Sequence, residues 1–165
     1  MIQLFVFIGA MLSLQMSCNY SFSGAKVDEN LKTITINYFT NQATLGSASL
    51  GQVFTETLKD KFISQTKLNL ADQKGDLELS GAITGYNISF RSPNAGETSA
   101  LNRLTVTVKV DCKNKHDEKQ NWSQNFTRFA EYESTQNLTD IEEQLITDIN
   151  QQLVDDIFNK TLVNW

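Results

Sequence analysis

Apolar and polar side chains alternate along Thr33-Ile-Thr-Ile-Asn-Tyr-Phe39, the period of a strand with one buried face. That phase turns Ile34, Ile36 and Tyr38 inward. The Asn-, Gly- and Ser-rich stretch from Thr40 to Ala48 reads as a loop, and Ser49-Leu-Gly-Gln52 then has the form of a capping box with Ser49 as the N-cap of a helix. Leu50, Val53, Phe54, Leu58 and Phe62 recur at helical spacing, while Glu56, Lys59, Asp60 and Ser64 fall elsewhere on the wheel. Burying each such large apolar side chain contributes roughly 1.5–3 kcal/mol, more than any propensity term, so packing should hold this helix in place.

A short strand is expected near Leu68 to Leu70. From Leu77 to Phe90 the apolar phase flips: Leu77, Leu79 and Ile83 share one phase, and Tyr86, Ile88 and Phe90 share the other. One extra residue near Gly85 restores both sets to the core side, which predicts a β-bulge there, at a residue that tolerates unusual backbone angles. Arg91-Ser-Pro-Asn-Ala-Gly96 has turn chemistry, so this strand and the next, from about Leu101 to Cys112, form an antiparallel hairpin. Leu104, Val106, Val108, Val110 and Cys112 lie on one face of that second strand, where Cys112 should be buried as a small hydrophobe. Beyond a polar connection from Lys113 to Gln120, Trp122 to Glu133 supplies a third strand. Trp122, Phe126, Ala130 and Tyr132 share one phase there, and Phe129 takes the other, where it can face a partner.

Thr139-Asp-Ile-Glu142 is a second capping-box pattern, followed by the stripe Leu138, Ile141, Leu145, Ile149, Leu153 and Ile157 of a helix ending near Asn159. Its acids, Asp140, Glu142, Glu143, Asp148, Asp155 and Asp156, make one solvated face, and the early ones suit the positive end of the helix dipole. The order strand, helix, three strands, helix predicts an α+β fold: two amphipathic helices packed on one face of a mainly antiparallel four-stranded sheet.

Ahead of this pattern, Met1 to Ser17 is an apolar leader without a charged side chain, short of the roughly 20 residues a membrane-spanning helix needs. Cys18 follows directly, preceded by Ser17 with Leu12 and Leu14 upstream. This arrangement resembles a bacterial lipoprotein processing site, in which the cysteine becomes the new N-terminus and carries acyl chains. Gln15 stands where such sites commonly have leucine, and no Lys or Arg supplies a basic n-region. The alternative is an ordinary cleaved secretory signal with Cys18 free or bridged to Cys112, the only other cysteine. Residues 1–17 are thus read as a lipoprotein signal peptide and 18–165 as a single domain, since 165 residues with 40% apolar content suit one core.

The net charge of −5 leaves no surplus of cations to displace counterions from a phosphate backbone, which argues against nucleic-acid binding. Catalysis by a hydroxyl or thiol needs a base within reach, and the one histidine, His116, stands in a charged run typical of a solvated loop. Zinc ligands and a phosphate-cradling glycine loop are missing from the pattern, so the chain reads as non-enzymatic, with no cofactor or metal. The charges that remain are unevenly placed. Arg91, Arg103, Lys109, Lys113, Lys115, Lys119 and Arg128 crowd into the hairpin region, opposite in sign to the last helix. Arg91, Arg103, Lys109, Lys113 and Arg128, with Phe129, are therefore candidates to contact a partner or an anionic lipid head group, since guanidinium matches phosphate geometry. Cations that merely blunt an exposed sheet edge are the alternative.

Several segments, in order, resemble the outer-membrane lipopolysaccharide-assembly lipoproteins (LptE) in the form found in Bacteroidota. They are Tyr-Ser-Phe-Ser-Gly-Ala25, Ile-Asn-Tyr-Phe39, Phe-Thr-Glu-Thr-Leu-Lys-Asp-Lys-Phe62, Gly75-Asp76 through Ile-Thr-Gly-Tyr86, Leu-Asn-Arg-Leu-Thr-Val-Thr-Val-Lys109 and Asp-Ile-Phe-Asn-Lys-Thr-Leu-Val-Asn-Trp165. The resemblance implies a periplasm-facing protein held to the outer membrane by acyl chains on Cys18, which plugs and supports the β-barrel of the lipopolysaccharide translocon (LptD-like) and aids delivery of lipopolysaccharide to the cell surface. No acidic run follows Cys18, consistent with remaining on the periplasmic leaflet. The rival reading is a lipid-anchored periplasmic binding module for another ligand, with a large apolar pocket between helices and sheet.

Overall fold

The longest period-two patterns in the chain become its longest strands. The computed structural model describes residues 30–91 and 100–162; the leader, Cys18 and the turn after Arg91 lie outside them. In chain order the elements are β1 (Thr33–Ile36), β2 (Thr40–Asn41), α1 (Leu50–Gln65), β3 (Asn69–Leu70), β4 (Leu77–Arg91), β5 (Leu101–Asn114), a 3-10 turn (Glu118–Gln120), β6 (Trp122–Glu133) and α2 (Leu138–Leu162). The fold is α+β, with both helices against one face of the sheet.

The sheet has six strands rather than four, in the order β3-β1-β4-β5-β6, and β2 pairs with β4 beyond the end of β1. β4, β5 and β6 form the expected antiparallel meander. β1 is parallel to β3 and β4, and β2 is parallel to β4. Parallel neighbours need a crossover connection, and α1 is that crossover between β1 and β3. β3 is the short strand expected near Leu68 to Leu70.

The alternation from Thr33 does not run through to Phe39. β1 stops at Ile36, the Asn37 N–H donates to the Leu79 carbonyl (2.9 Å), and the chain kinks before β2. Phe39 therefore takes the core position and Tyr38, expected inside, is 56% exposed. The Phe39 ring packs edge-on against Phe54 at 5.1 Å, and its N–H donates to the Thr55 hydroxyl at 3.0 Å. This ring fills the space above Gly81. A Cβ there would lie 2.7 Å from Phe39 Cε1 and collide with the Lys109 carbonyl oxygen.

The bulge falls where the phase flip placed it. Register shifts between Ile83 and Gly85, so that Thr84 is skipped in the pairing with β5. Gly85 does not take a positive φ, so the bulge draws nothing from left-handed glycine freedom; Gly46 does, at φ 99°, in the loop before α1.

Both capping boxes fail in detail. Ser49 occupies the N-cap of α1 with helical angles, and its hydroxyl pairs with Ser47 at 2.7 Å instead of capping. At α2, Asn137 Oδ1 accepts the Thr139 N–H at 3.2 Å, so the helix starts before the expected Thr139 cap. It runs on to Leu162, past the expected end near Asn159, with Thr161 and Leu162 still buried.

The core joins both helix stripes to Ile34, Leu77, Leu79, Ile83 and the inward row of β5. Val53 alone of the α1 stripe is exposed, at the margin of a cleft between the helices. Phe62 meets Phe158 at 5.2 Å and Lys61 bonds Asp155 at 2.7 Å, while the other end of α1 faces Glu142 and Ile146. The helices therefore run parallel, with their N-termini at the same end. No described helix is long and apolar enough to cross a membrane.

Candidate functional site

Leu104, Val106, Val108, Val110 and Cys112 point toward the helices, so the alternate β5 positions Arg103, Lys109 and Lys113 stand on the open face of the sheet. Register carries Arg91 and Phe129 to that same face, through the pairs Arg91 with Leu101 and Phe129 with Thr105. Of the candidate residues, Arg91, Arg103 and Phe129 come together. Glu131 sits between the two arginines: Arg103 Nη2 donates to it at 2.6 Å and Arg91 Nη1 at 3.1 Å. The Arg103 guanidinium also lies 3.9 Å from the centre of the Phe129 ring, which is 45% exposed. These contacts, the Arg103 hydrogen bond foremost, hold the Glu131 carboxyl below its usual range.

Lys109 and Lys113 do not join this group. At ~3.4 Å per residue they lie roughly 20 and 34 Å along β5 from Arg103. Arg128 is on the opposite, helix-facing side, where its Nε and Nη2 grip both Asp156 oxygens at 2.6 and 2.7 Å. With Asp155 held by Lys61 and Glu142 by the Tyr86 hydroxyl (2.7 Å), α2 is not the freely solvated acidic face that its sequence suggested. Burial, then Glu142, pushes the Tyr86 hydroxyl well above its ordinary pKa. Cys112 is a buried free thiol, pushed up to about 12 by desolvation.

The other end of the sheet carries a different cluster. Asp76 Oδ2 accepts the Lys32 N–H, the Thr33 N–H and the Thr33 hydroxyl, each at 2.9 Å, and Oδ1 meets His116 Nε2 at 3.0 Å. The Lys32 hydrogen bond, then His116, holds this carboxyl far below its usual range. His116 is exposed in the loop after β5, as its charged surroundings suggested, and from there its ring braces Asp76, the residue that fastens the start of β1 to the start of β4.

Among the described residues, two cavities on the helix side stand out. One, of about 320 Å³, lies between the helix N-termini and mixes Leu50, Val53 and Ile146 with Ser47, Thr139, Glu142 and Glu143. The other, of about 460 Å³, follows the edge of β6 past Phe126, Arg128, Asp156 and Lys160. Between helices and sheet, where the rival reading wants a pocket, the described apolar side chains form one buried cluster.

Sequence reasoning missed one surface. Tyr86, Ile88 and Phe90 were all expected to face the core, and all three do lie on the helix side, opposite Val106, Leu104 and Asn102. Only Tyr86 is buried; Ile88 is 42% and Phe90 66% exposed. Element length was the available signal. At ~1.5 Å per helical residue α1 spans roughly 24 Å, against roughly 50 Å for β4 at ~3.4 Å per residue. The helix cannot reach the end of the strand.

Residues 31–161 match the family model described as LptE, lipopolysaccharide-assembly. No curated protein matches the chain in sequence. Among solved structures it is similar to a minor lipoprotein from Acinetobacter baumannii, at 14% identity and TM-score 0.52, over 81% of this chain and 94% of that one. A protein from Xanthomonas campestris aligns at 13% identity and TM-score 0.54, over 83% and 89% of the two chains. A neuraminyllactose-binding hemagglutinin homolog from Helicobacter pylori aligns at 9% identity and TM-score 0.54, over 86% and 88%. Identities this low establish a common fold.

Proposed function

The chain belongs to the LptE lipopolysaccharide-assembly family, whose members are lipoproteins and generally non-enzymatic, and from that membership we propose that it plugs and supports the β-barrel of the lipopolysaccharide translocon. In this reading acyl chains on Cys18 tether the domain to the periplasmic leaflet of the outer membrane, and an LptD-like barrel is its partner. The order of the segment resemblances favours the Bacteroidota form. The observation that carries the proposal is the family match across nearly every described element, from Leu31 to Thr161.

The architecture suits such a role. The Arg91, Arg103, Phe129 and Glu131 group makes a patch on the open sheet face in which both guanidinium groups already bond Glu131, a surface for a protein contact more than for a free phosphate, which Glu131 would repel. Lys109 and Lys113, further along the same face, are the cations better placed for lipopolysaccharide head groups.

Native purification from detergent-extracted outer membranes tests the proposal. The translocon barrel should accompany the protein in equal amount, and depletion of the protein should lower lipopolysaccharide at the cell surface. Acylated protein that never associates with the barrel refutes it. Mass spectrometry of the mature N-terminus checks the anchor separately, with an acylated Cys18 as the expected result.

A further inference from the structure

One end of the domain gathers cations that no carboxylate holds. β1, β3, β4 and β6 start at this end and β5 finishes there, through the pairs Thr33 with Asn69, Ile34 with Leu77 and Cys112 with Trp122. The segments that enter and join these strands place Lys32, Lys67, Lys74, Lys115 and Lys119 around it, all exposed and none in an ion pair among the described residues. Elsewhere most cations are spent: Lys59 bonds Glu56, Lys61 bonds Asp155, Arg91 and Arg103 share Glu131, and Arg128 holds Asp156. Lys109 and Lys113 on the open face and Lys160 on α2 complete the described lysines and arginines. Two acids at the lysine-rich end turn inward. Asp76 accepts the Lys32 and Thr33 N–H groups and Asp117 accepts the Lys119 N–H, which leaves Asp72 and Glu118 exposed beside the five lysines. Just ahead in sequence stand Lys26, Asp28 and Glu29. The opposite end has the other sign: Glu133 and Asp140 are exposed there, and its two arginines are both bonded to Glu131.

We propose that the lysine-rich end sits on the phosphate head groups of anionic glycerophospholipids in the leaflet that holds the anchor; this rests on the reading of Cys18 as acylated. Position and charge point to the same occupant. The chain from Cys18 joins the domain at Lys32, so anchor and lysines share one end. The two ends lie roughly 44 Å apart along β4, at ~3.4 Å per residue from Leu77 to Phe90, whereas a charged surface is felt over only about 8–10 Å at physiological salt. A chain of net charge −5 is therefore drawn to an anionic leaflet by its lysines when it stands on this end, with the acidic end out of range. Lysine also suits such a contact better than arginine, because a hydrated ammonium on a flexible stem follows head groups that move, while a guanidinium fork matches a fixed geometry. The acyl chains hold the protein to the bilayer, and the lysines set which way it stands.

Full-length, natively processed protein in vesicles tests this, with a fluorophore on Gln73→Cys, among the lysines, or on Ser134→Cys, at the opposite end, and an energy acceptor on the lipid head groups. In phosphatidylcholine with about one-quarter phosphatidylglycerol, transfer from position 73 should exceed that from position 134 several times. The contrast should vanish in phosphatidylcholine alone and in the Lys32→Gln, Lys67→Gln, Lys74→Gln, Lys115→Gln, Lys119→Gln variant. That variant should keep its melting temperature, since the five side chains are exposed and unpaired, and arginine at the same positions should restore the contrast. Equal transfer from both positions in anionic vesicles, or a contrast that survives in neutral vesicles or in the glutamine variant, overturns the inference and leaves the anchor reading standing. A contrast seen only when lipopolysaccharide replaces phosphatidylglycerol assigns the lysines to another ligand and overturns it as well. If the mature N-terminus is unacylated and the protein does not bind anionic vesicles, both fall; unacylated protein that binds them through the lysines removes the anchor reading alone.

Discussion

The two ends of the β4–β5 ladder have the same alternation and opposite fates. At the near end Leu77, Leu79 and Ile83 face Asn114, Cys112 and Val108 beneath the helices, and all three β4 side chains are fully buried. At the far end Ile88 and Phe90 continue on the same side into solvent. Period-two hydrophobicity tells which face of a strand is apolar; how far the covering layer extends is a separate matter, set by helix length and by where each helix starts. An apolar row can therefore outlast its own cover, as it does here at Ile88 and Phe90.

The widest expected gap between the two ends is in stability. Phe39→Ala, which empties the site between Phe54 and Gly81 at the near end, should cost about 3–5 kcal/mol, whereas Phe90→Ala should stay within about 0.5 kcal/mol. Urea unfolding of both variants measures the contrast, and comparable losses would mean that the far end is packed after all. Glycines on either side of the bulge sharpen it. Gly81→Ala drives a methyl group into the Lys109 carbonyl and the Phe39 ring, for a loss of about 1–3 kcal/mol. Gly85→Ala meets only the Thr107 side chain at 3.2 Å and should cost clearly less in the same assay.

A smaller effect, of the opposite sign, is expected within the cover itself. Asn150 of α2 is buried, with neither amide atom hydrogen-bonded. Leaving a buried polar group unpaired costs about 1–3 kcal/mol, so Asn150→Leu should raise the melting temperature by relieving part of that cost. A lower melting temperature would show that the amide makes contacts this packing does not provide.

Asp76 gives the smallest effect, visible as a pH dependence at the near end. Because folding depresses its pKa, its contribution is present above the unfolded value near ~3.9 and is lost as pH falls below that, toward the folded value. The melting temperature of Asp76→Asn should lie below wild type by a few degrees at neutral pH, and the two curves should converge in acid. A gap independent of pH would exclude the carboxylate charge as its source.

Much of this was legible in the chain, because helix stripes and strand alternation report burial directly. The bulge between Ile83 and Gly85, the inward row ending at Cys112 and the outward turn of Phe129 all follow from phase alone. What escaped depended on distant neighbours. The kink that exchanges Tyr38 for Phe39 exists because the ring has a seat over Gly81, more than 40 residues on; the parallel pairings of β1 and β2 arise from the α1 crossover. Among the candidate contact residues, composition suggested one basic region, but strand register divides it: Arg91, Arg103 and Phe129 meet at Glu131, Lys109 and Lys113 stand apart, and Arg128 faces the helices. Charge counts carry no information about which carboxylate each guanidinium finds.

Hydrogen–deuterium exchange on the free protein and on its complex with the translocon barrel tests the central claim most directly. A contiguous group of surface amides should exchange several times more slowly in the complex, while the amides of the core beneath both helices stay unchanged. Exchange identical in the free protein and in the presence of the barrel would contradict it.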